Sequence, residues 1–110
     1  MKASELLQPG ETAIVVFTEG DNFLLSKNGV SESGNWKMDG SKICNKVIFY
    51  YRNDLNDIEV YVGQHLENVT SEEQGRFILR IKDLKRMGTT ISSWKDFAGG
   101  GQNPIRYISK

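Results

Sequence analysis

Seven residues, Lys46-Val47-Ile48-Phe49-Tyr50-Tyr51-Arg52, restrict what this chain can fold into more than any others. β-Branched and aromatic side chains follow one another there, and these lose rotamer freedom in a helix but pack well on a pleated surface. The next five residues, Asn53-Asp54-Leu55-Asn56-Asp57, have the length and polarity of a hairpin loop. From Ile58 to Gly63 the apolar Ile58, Val60 and Val62 alternate with Glu59 and Tyr61. That alternation predicts a second strand with one face buried and the other partly wet. An antiparallel hairpin is the expected centre of the molecule.

Other segments read the same way. Thr12 to Phe17 places Ile14, Val15 and Val16 in succession, which suits a strand buried on both faces. Glu19-Gly20-Asp21-Asn22 is a turn signal, Phe23-Leu24-Leu25 a short strand, and the polar stretch containing Gly29 and Gly34 a loop ending in Trp36. Arg76 to Ile81 predicts a strand with Phe77, Leu79 and Ile81 on one face and Arg76, Ile78 and Arg80 on the other. Lys82 to Arg86 either continues it or forms a short helix, ending by Gly88. Ile105 to Ile108 is a closing edge strand. Three short helices are expected: residues 3–8 before Pro9-Gly10, one turn from the capping box Thr70-Ser71-Glu72-Glu73 cut by Gly75, and a turn at Ser93 to Ala98.

About six short strands and no long 3.6-residue apolar period disfavour βαβ units, whose crossovers need about ten residues or more. The class is mainly β (α+β): a small, mostly antiparallel barrel or curled sheet with one-turn helices, since closure removes exposed edges. At 110 residues it is one domain, 1–110. No run approaches the roughly 20 apolar residues of a membrane span, and Met1 to Gly10 lacks the apolar region of a signal peptide. Cys44 stands alone and cannot form an internal disulfide, so a reducing, cytoplasmic setting is expected.

Catalytic chemistry has little to build on. One Cys and one His make no metal-ligand set, and Cys44 with His65 lacks a third, orienting group, so a structural role is expected for both. Gly99-Gly100-Gly101 precedes Gln102-Asn103-Pro104 instead of following a strand and opening a helix, so it matches neither phosphate-loop pattern. No catalytic residue, cofactor or metal is assigned.

Charge is uneven along a chain of zero net charge. Residues 1–75 carry twelve acids and six Lys or Arg, whereas residues 76–110 carry eight Lys or Arg against Asp83 and Asp96. A basic C-terminal face able to steer an anionic partner is one expectation, and a mixed solvated surface the other.

Binding fits the residues better. Trp36 and Trp94 stand beside polar or glycine-rich segments, and Tyr50, Tyr51 and Tyr107 supply amphipathic rings on or near strands. Such rings stack on nucleobases, while Gln102, Asn103 or a backbone amide could read a base edge and Arg52, Arg80 and Arg106 could meet phosphates. The glycines, Gly100 among them, would let Trp94 and Phe97 on one side and Arg106 and Tyr107 on the other border a shared pocket. Three function readings stay open. The first is a non-enzymatic module that binds a nucleobase, modified base or nucleotide of RNA or DNA; the second is a small protein-interaction factor, such as a viral inhibitor of a host or defence enzyme; the third, the least favoured, is an enzyme acting on a small nucleotide.

The order Trp36-Lys37-Met38, Lys46 to Arg52, Ile58-Glu59-Val60-Tyr61-Val62-Gly63, then Arg76-Phe77-Ile78-Leu79-Arg80-Ile81 resembles the PUA-like superfamily, especially its EVE and ASCH branches, over about residues 12–82. The resemblance implies a small pseudobarrel that receives an RNA base or a modified DNA base. It makes Trp36 the best-matched pocket residue, with Tyr50 and Tyr51 as further carry-overs.

Overall fold

A computed structural model describes residues 1–20, 29–100 and 102–110, together with the backbone of Phe23 and Leu24. Asp21, Asn22, Leu25 and Gly101, on which part of the turn, strand and glycine-loop expectations fall, lie outside the described residues. The chain runs through a short 3₁₀ turn (Ala3–Leu6), β1 (Thr12–Thr18), β2 (Phe23–Leu24), β3 (Val30–Lys37), β4 (Lys46–Arg52), β5 (Ile58–Thr70), β6 (Arg76–Thr90), α1 (Trp94–Ala98) and β7 (Ile105–Ser109). These strands form one sheet in the order β2-β3-β6-β5-β4-β1-β7. All pairings are antiparallel except β1 with β4, which run parallel with Ile14 opposite Val47 and Val16 opposite Phe49. The mainly β class is observed, and the sheet is open, with β2 and β7 at its edges.

Two apolar layers explain the central strands. Ala13, Val15, Ile48, Tyr50 and Val60 point to one face, where Ala3, Leu7, Phe97 and Ala98 cover them. Ile14, Val16, Val47 and Phe49 point to the other, where they meet Leu79 and Ile81 of β6, Trp36 of β3 and Ile105 of β7. The second layer exists because the sheet curls over itself. Register shifts at three places between β5 and β6 add twist there, and Gly63 lets β6 fold close. A Cβ at Gly63 would overlap Ile81 Cγ2 and stand 3.1 Å from Leu84 Cδ1 and from the Lys82 carbonyl oxygen.

Several expected elements take another form. The stretch read as a loop ending in Trp36 is mostly strand β3, because pairing with β6 satisfies its backbone and buries the small Ser31 and Ser33. Thr70 to Glu73 forms no helix. It belongs to the β5–β6 turn, where Ser71 N–H donates to the Arg76 carbonyl (3.0 Å) and Glu73 N–H donates to Ser71 Oγ (3.1 Å). β5 and β6 run well past the expected ends, and Gly88 sits inside β6. The Ser93 turn is as expected: Ser93 Oγ accepts from Asp96 N–H at 3.2 Å, and Gly99 ends α1 in the left-handed region (φ 86°).

Candidate functional site

The curl brings distant parts of the sheet together. β3 and β7 belong to opposite sides of the strand order, yet Trp36 and Ile105 share one apolar cluster and line one groove of about 800 Å³. Its walls come from three segments: Asn35-Trp36-Lys37-Met38, Gly75-Arg76 and Asn103-Pro104-Ile105. The groove thus follows the seam between β3 and the segment leading into β7. Pro104 is anchored at the far end of β1, its carbonyl accepting from Phe17 N–H at 2.8 Å.

Each wall is fixed by its own bonds. Trp36 is only 8% exposed, and its Nε1–H donates to Ser33 Oγ at 2.9 Å. Gly34, in the irregular step between Ser33 and Trp36, lies where a Cβ would come 2.8 Å from Ile78 Cγ1, so glycine allows β3 to approach β6. Lys37 stands opposite Arg76 in the ladder. Arg76 is held by Glu73 (Nε to Oε2, 3.2 Å) and by donating from Nη1 to the Asn35 carbonyl (3.0 Å). Asn103 Oδ1 accepts from Ile105 N–H at 3.0 Å and sets the turn that aims this segment at the groove.

The apolar cluster of Trp36 and Ile105 continues to Cys44 and Tyr107, beside a hydrogen-bond network. His65 Nδ1 accepts from Cys44 N–H at 3.0 Å, and its other ring nitrogen meets Asn68 Oδ1 at 2.7 Å, while Asn68 Nδ2 donates to the Gly40 and Lys42 carbonyls. This network ties the 39–44 loop to β5, with Lys42 Nζ 4.3 Å from the centre of the Tyr107 ring. Burial lowers the His65 pKa from its ordinary value, with the Asn68 bond opposing it. His65 is bonded to the backbone of Cys44, which fits the structural role expected of the pair.

Of the candidate binding residues, Trp36 and Asn103 meet in the groove. Tyr50, Trp94 and Phe97 instead pack with Phe17 between the sheet and α1, with ring centres 5.0–5.5 Å apart, and the Tyr50 hydroxyl donates to the Ser92 carbonyl at 2.6 Å. Burial raises the Tyr50 pKa. The pocket expected between Trp94 and Phe97 on one side and Arg106 and Tyr107 on the other is not formed. Alternation along β7 sends Tyr107 to the opposite face, and Arg106 Nη2 donates to the Gly99 carbonyl at 3.3 Å. Tyr51 packs on Tyr61 (6.3 Å), Gly100 follows α1 with φ 111°, and Gln102 is exposed. Arg52 pairs with Glu19, and Arg80 lies between Glu32 (3.5 Å) and Glu67 (3.1 Å).

Compared with family models, curated proteins and solved structures, the chain matches none of them. Among the described residues no group of three or more His, Cys, Asp or Glu could hold a metal ion, and no helix is long and apolar enough to cross a membrane. Asn35, Lys37 and Arg76 were missed as site residues. Lys37 and Asn35 flank the Trp in sequence, but Arg76 becomes their neighbour only through the β3–β6 pairing that a polar, glycine-bearing stretch does not advertise.

Proposed function

We propose that this chain is a non-enzymatic recognition module that takes a nucleobase, modified base or nucleotide of RNA or DNA in the seam groove. The observation that carries the reading is the convergence of Trp36, Arg76 and Asn103, far apart in the chain, on one groove. Trp36, Met38, Pro104 and Ile105 offer apolar and aromatic surface to a base, while Arg76 and Lys37 bring two positive charges within reach of a phosphate. The PUA-like resemblance of the sequence, in which Trp36 is the best-matched pocket residue, supports the same reading. Titration of the chain with short single-stranded oligonucleotides by calorimetry tests it. Arg76→Gln, at an exposed position, is expected to weaken binding about tenfold, the size of one lost charged hydrogen bond, with an unchanged circular dichroism spectrum. No binding by the wild type, or equal binding by the variant, overturns the reading.

One observation favours the second reading, a protein-interaction factor. Leu55 and Ile91 are 81% and 105% exposed. Ile91 also lines a separate groove of about 520 Å³ with Ile58 and Asp57. Exposed aliphatic side chains of this kind serve protein contacts. Binding of a protein partner lost in Ile91→Ser but kept in Arg76→Gln would favour this reading over the first.

A further inference from the structure

We infer that the seam groove prefers bases with a keto oxygen at purine C6 or pyrimidine C4, guanine or hypoxanthine and uracil or thymine, over adenine and cytosine, which carry an amino group there, and that Asn103 sets the preference. This rests on the nucleobase reading above. The inference comes from which polar atoms of the groove are already used. A backbone amide can only donate, so the Ile105 N–H bond fixes the Asn103 carboxamide with Oδ1 turned to the chain and its NH₂ left to donate. Asn35 is oriented in the same sense. Its Oδ1 accepts from the Ser71 hydroxyl at 2.5 Å, and its carbonyl accepts from Arg76. The Ser71 oxygen itself accepts from Glu73 N–H, which directs the hydroxyl hydrogen to Asn35.

The side-chain oxygens of Asn35 and Asn103 are therefore each turned to a partner inside the protein. The side-chain groups of the groove left to meet a ligand are the NH₂ of each, Nη2 of Arg76 and the Lys37 ammonium, all donors. Guanine and hypoxanthine carry a keto oxygen at position 6, and uracil and thymine one at position 4, where adenine and cytosine carry an amino group that needs an acceptor. An amino group set against these donors leaves both unpaired, and sites built to hydrogen-bond one edge reject the other for that reason.

Phosphate also suits donors, so the test uses uncharged nucleosides. Inosine, uridine, adenosine and cytidine are titrated by calorimetry into the full chain. Inosine and uridine are expected to bind about tenfold more tightly than adenosine and cytidine, the range of one or two well-placed hydrogen bonds. Asn103→Asp keeps an oxygen for the Ile105 amide and replaces the NH₂ with a second acceptor, so the preference is expected to be lost. Asn103→Ser keeps the acceptor and removes the NH₂, and is expected to level the order if the first variant fails to fold. Equal binding of all four nucleosides by the wild type, a wild-type preference for adenosine and cytidine, or an unchanged order in a folded variant overturns the inference. Oligonucleotide binding with no nucleoside binding overturns it while leaving the recognition reading in place; binding of neither overturns both.

Discussion

The imidazole of His65 is 4% exposed and holds a backbone amide on one side and a side-chain amide on the other. Only the neutral ring can do this, because a protonated Nδ1 would face the Cys44 N–H with a second donor. Burial depresses its pKa below the ordinary value near 6.5. A depressed histidine contributes stability that is complete above its unfolded pKa and is lost as pH falls from there toward the folded one. Between about pH 7.5 and 5.5, around the ordinary histidine pKa, the wild-type melting temperature is expected to fall more than that of His65→Leu. At the higher pH the variant is expected to be less stable by about 1–3 kcal/mol, the cost of an orphaned buried amide. Glu11, Asp39 and Glu59, whose pKa values are lowered chiefly by hydrogen bonds, act below the ordinary carboxylate range and leave that window to His65. Parallel curves for the two proteins would refute the assignment. Nothing in the sequence pairs His65 with the Cys44 amide, since the bond is made by backbone across 21 residues. Trp36 teaches the same lesson. Its type suggested a pocket wall, but it is also core, and truncating a buried Trp costs about 3–5 kcal/mol, so Trp36→Ala cannot be expected to leave the fold intact.

At the scale of elements, legibility followed hydrophobic pattern. β4 is bounded as its β-branched and aromatic run predicts, and the 53–57 loop closes as a hairpin with Asn53 Oδ1 accepting from Leu55 and Asp57 N–H. β3 was hidden because Val30-Ser31-Glu32-Ser33-Gly34-Asn35 carries little apolar surface; its pairing with β6 makes it a strand. The capping box at Thr70 was a true local signal that lost to hairpin geometry, with Ser71 serving the turn instead. Gly63 is where pattern and packing meet. It continues the alternation of β5, yet it has no side chain where the face turns inward, since Ile81 occupies that space. Gly63→Ala should therefore destabilise by overpacking, by about 1–3 kcal/mol, read as a lower urea midpoint. An unchanged midpoint would mean that β6 moves aside without cost, and that the curl does not depend on this contact.

Across the whole molecule, the charge asymmetry of the sequence is partly offset by topology. The order β3-β6-β5 places the arginine-bearing β6 between strands from the acidic half: Arg80 reaches Glu32 and Glu67, and Arg86 reaches Glu59 at 2.7 Å. Two of the eight C-terminal cations, Arg80 and Arg86, are thus drawn into cross-strand pairs, and Arg52 is similarly engaged by Glu19. A linear charge count could not show this, because it depends on which strands become neighbours. The consequence reaches function. Lys37 and Arg76 are the cations that line the groove, Arg76 meeting a phosphate in competition with Glu73, and releasing counterions from about two phosphates of a single strand gives a slope of log affinity against log salt near −1.4. Affinity for a short oligonucleotide should then fall only about sevenfold from 50 to 200 mM salt. Loss of Arg76 should roughly halve the slope. A measured slope steeper than about −3 would mean that the strand follows a longer cationic track, and that the pairs of β6 open to meet it.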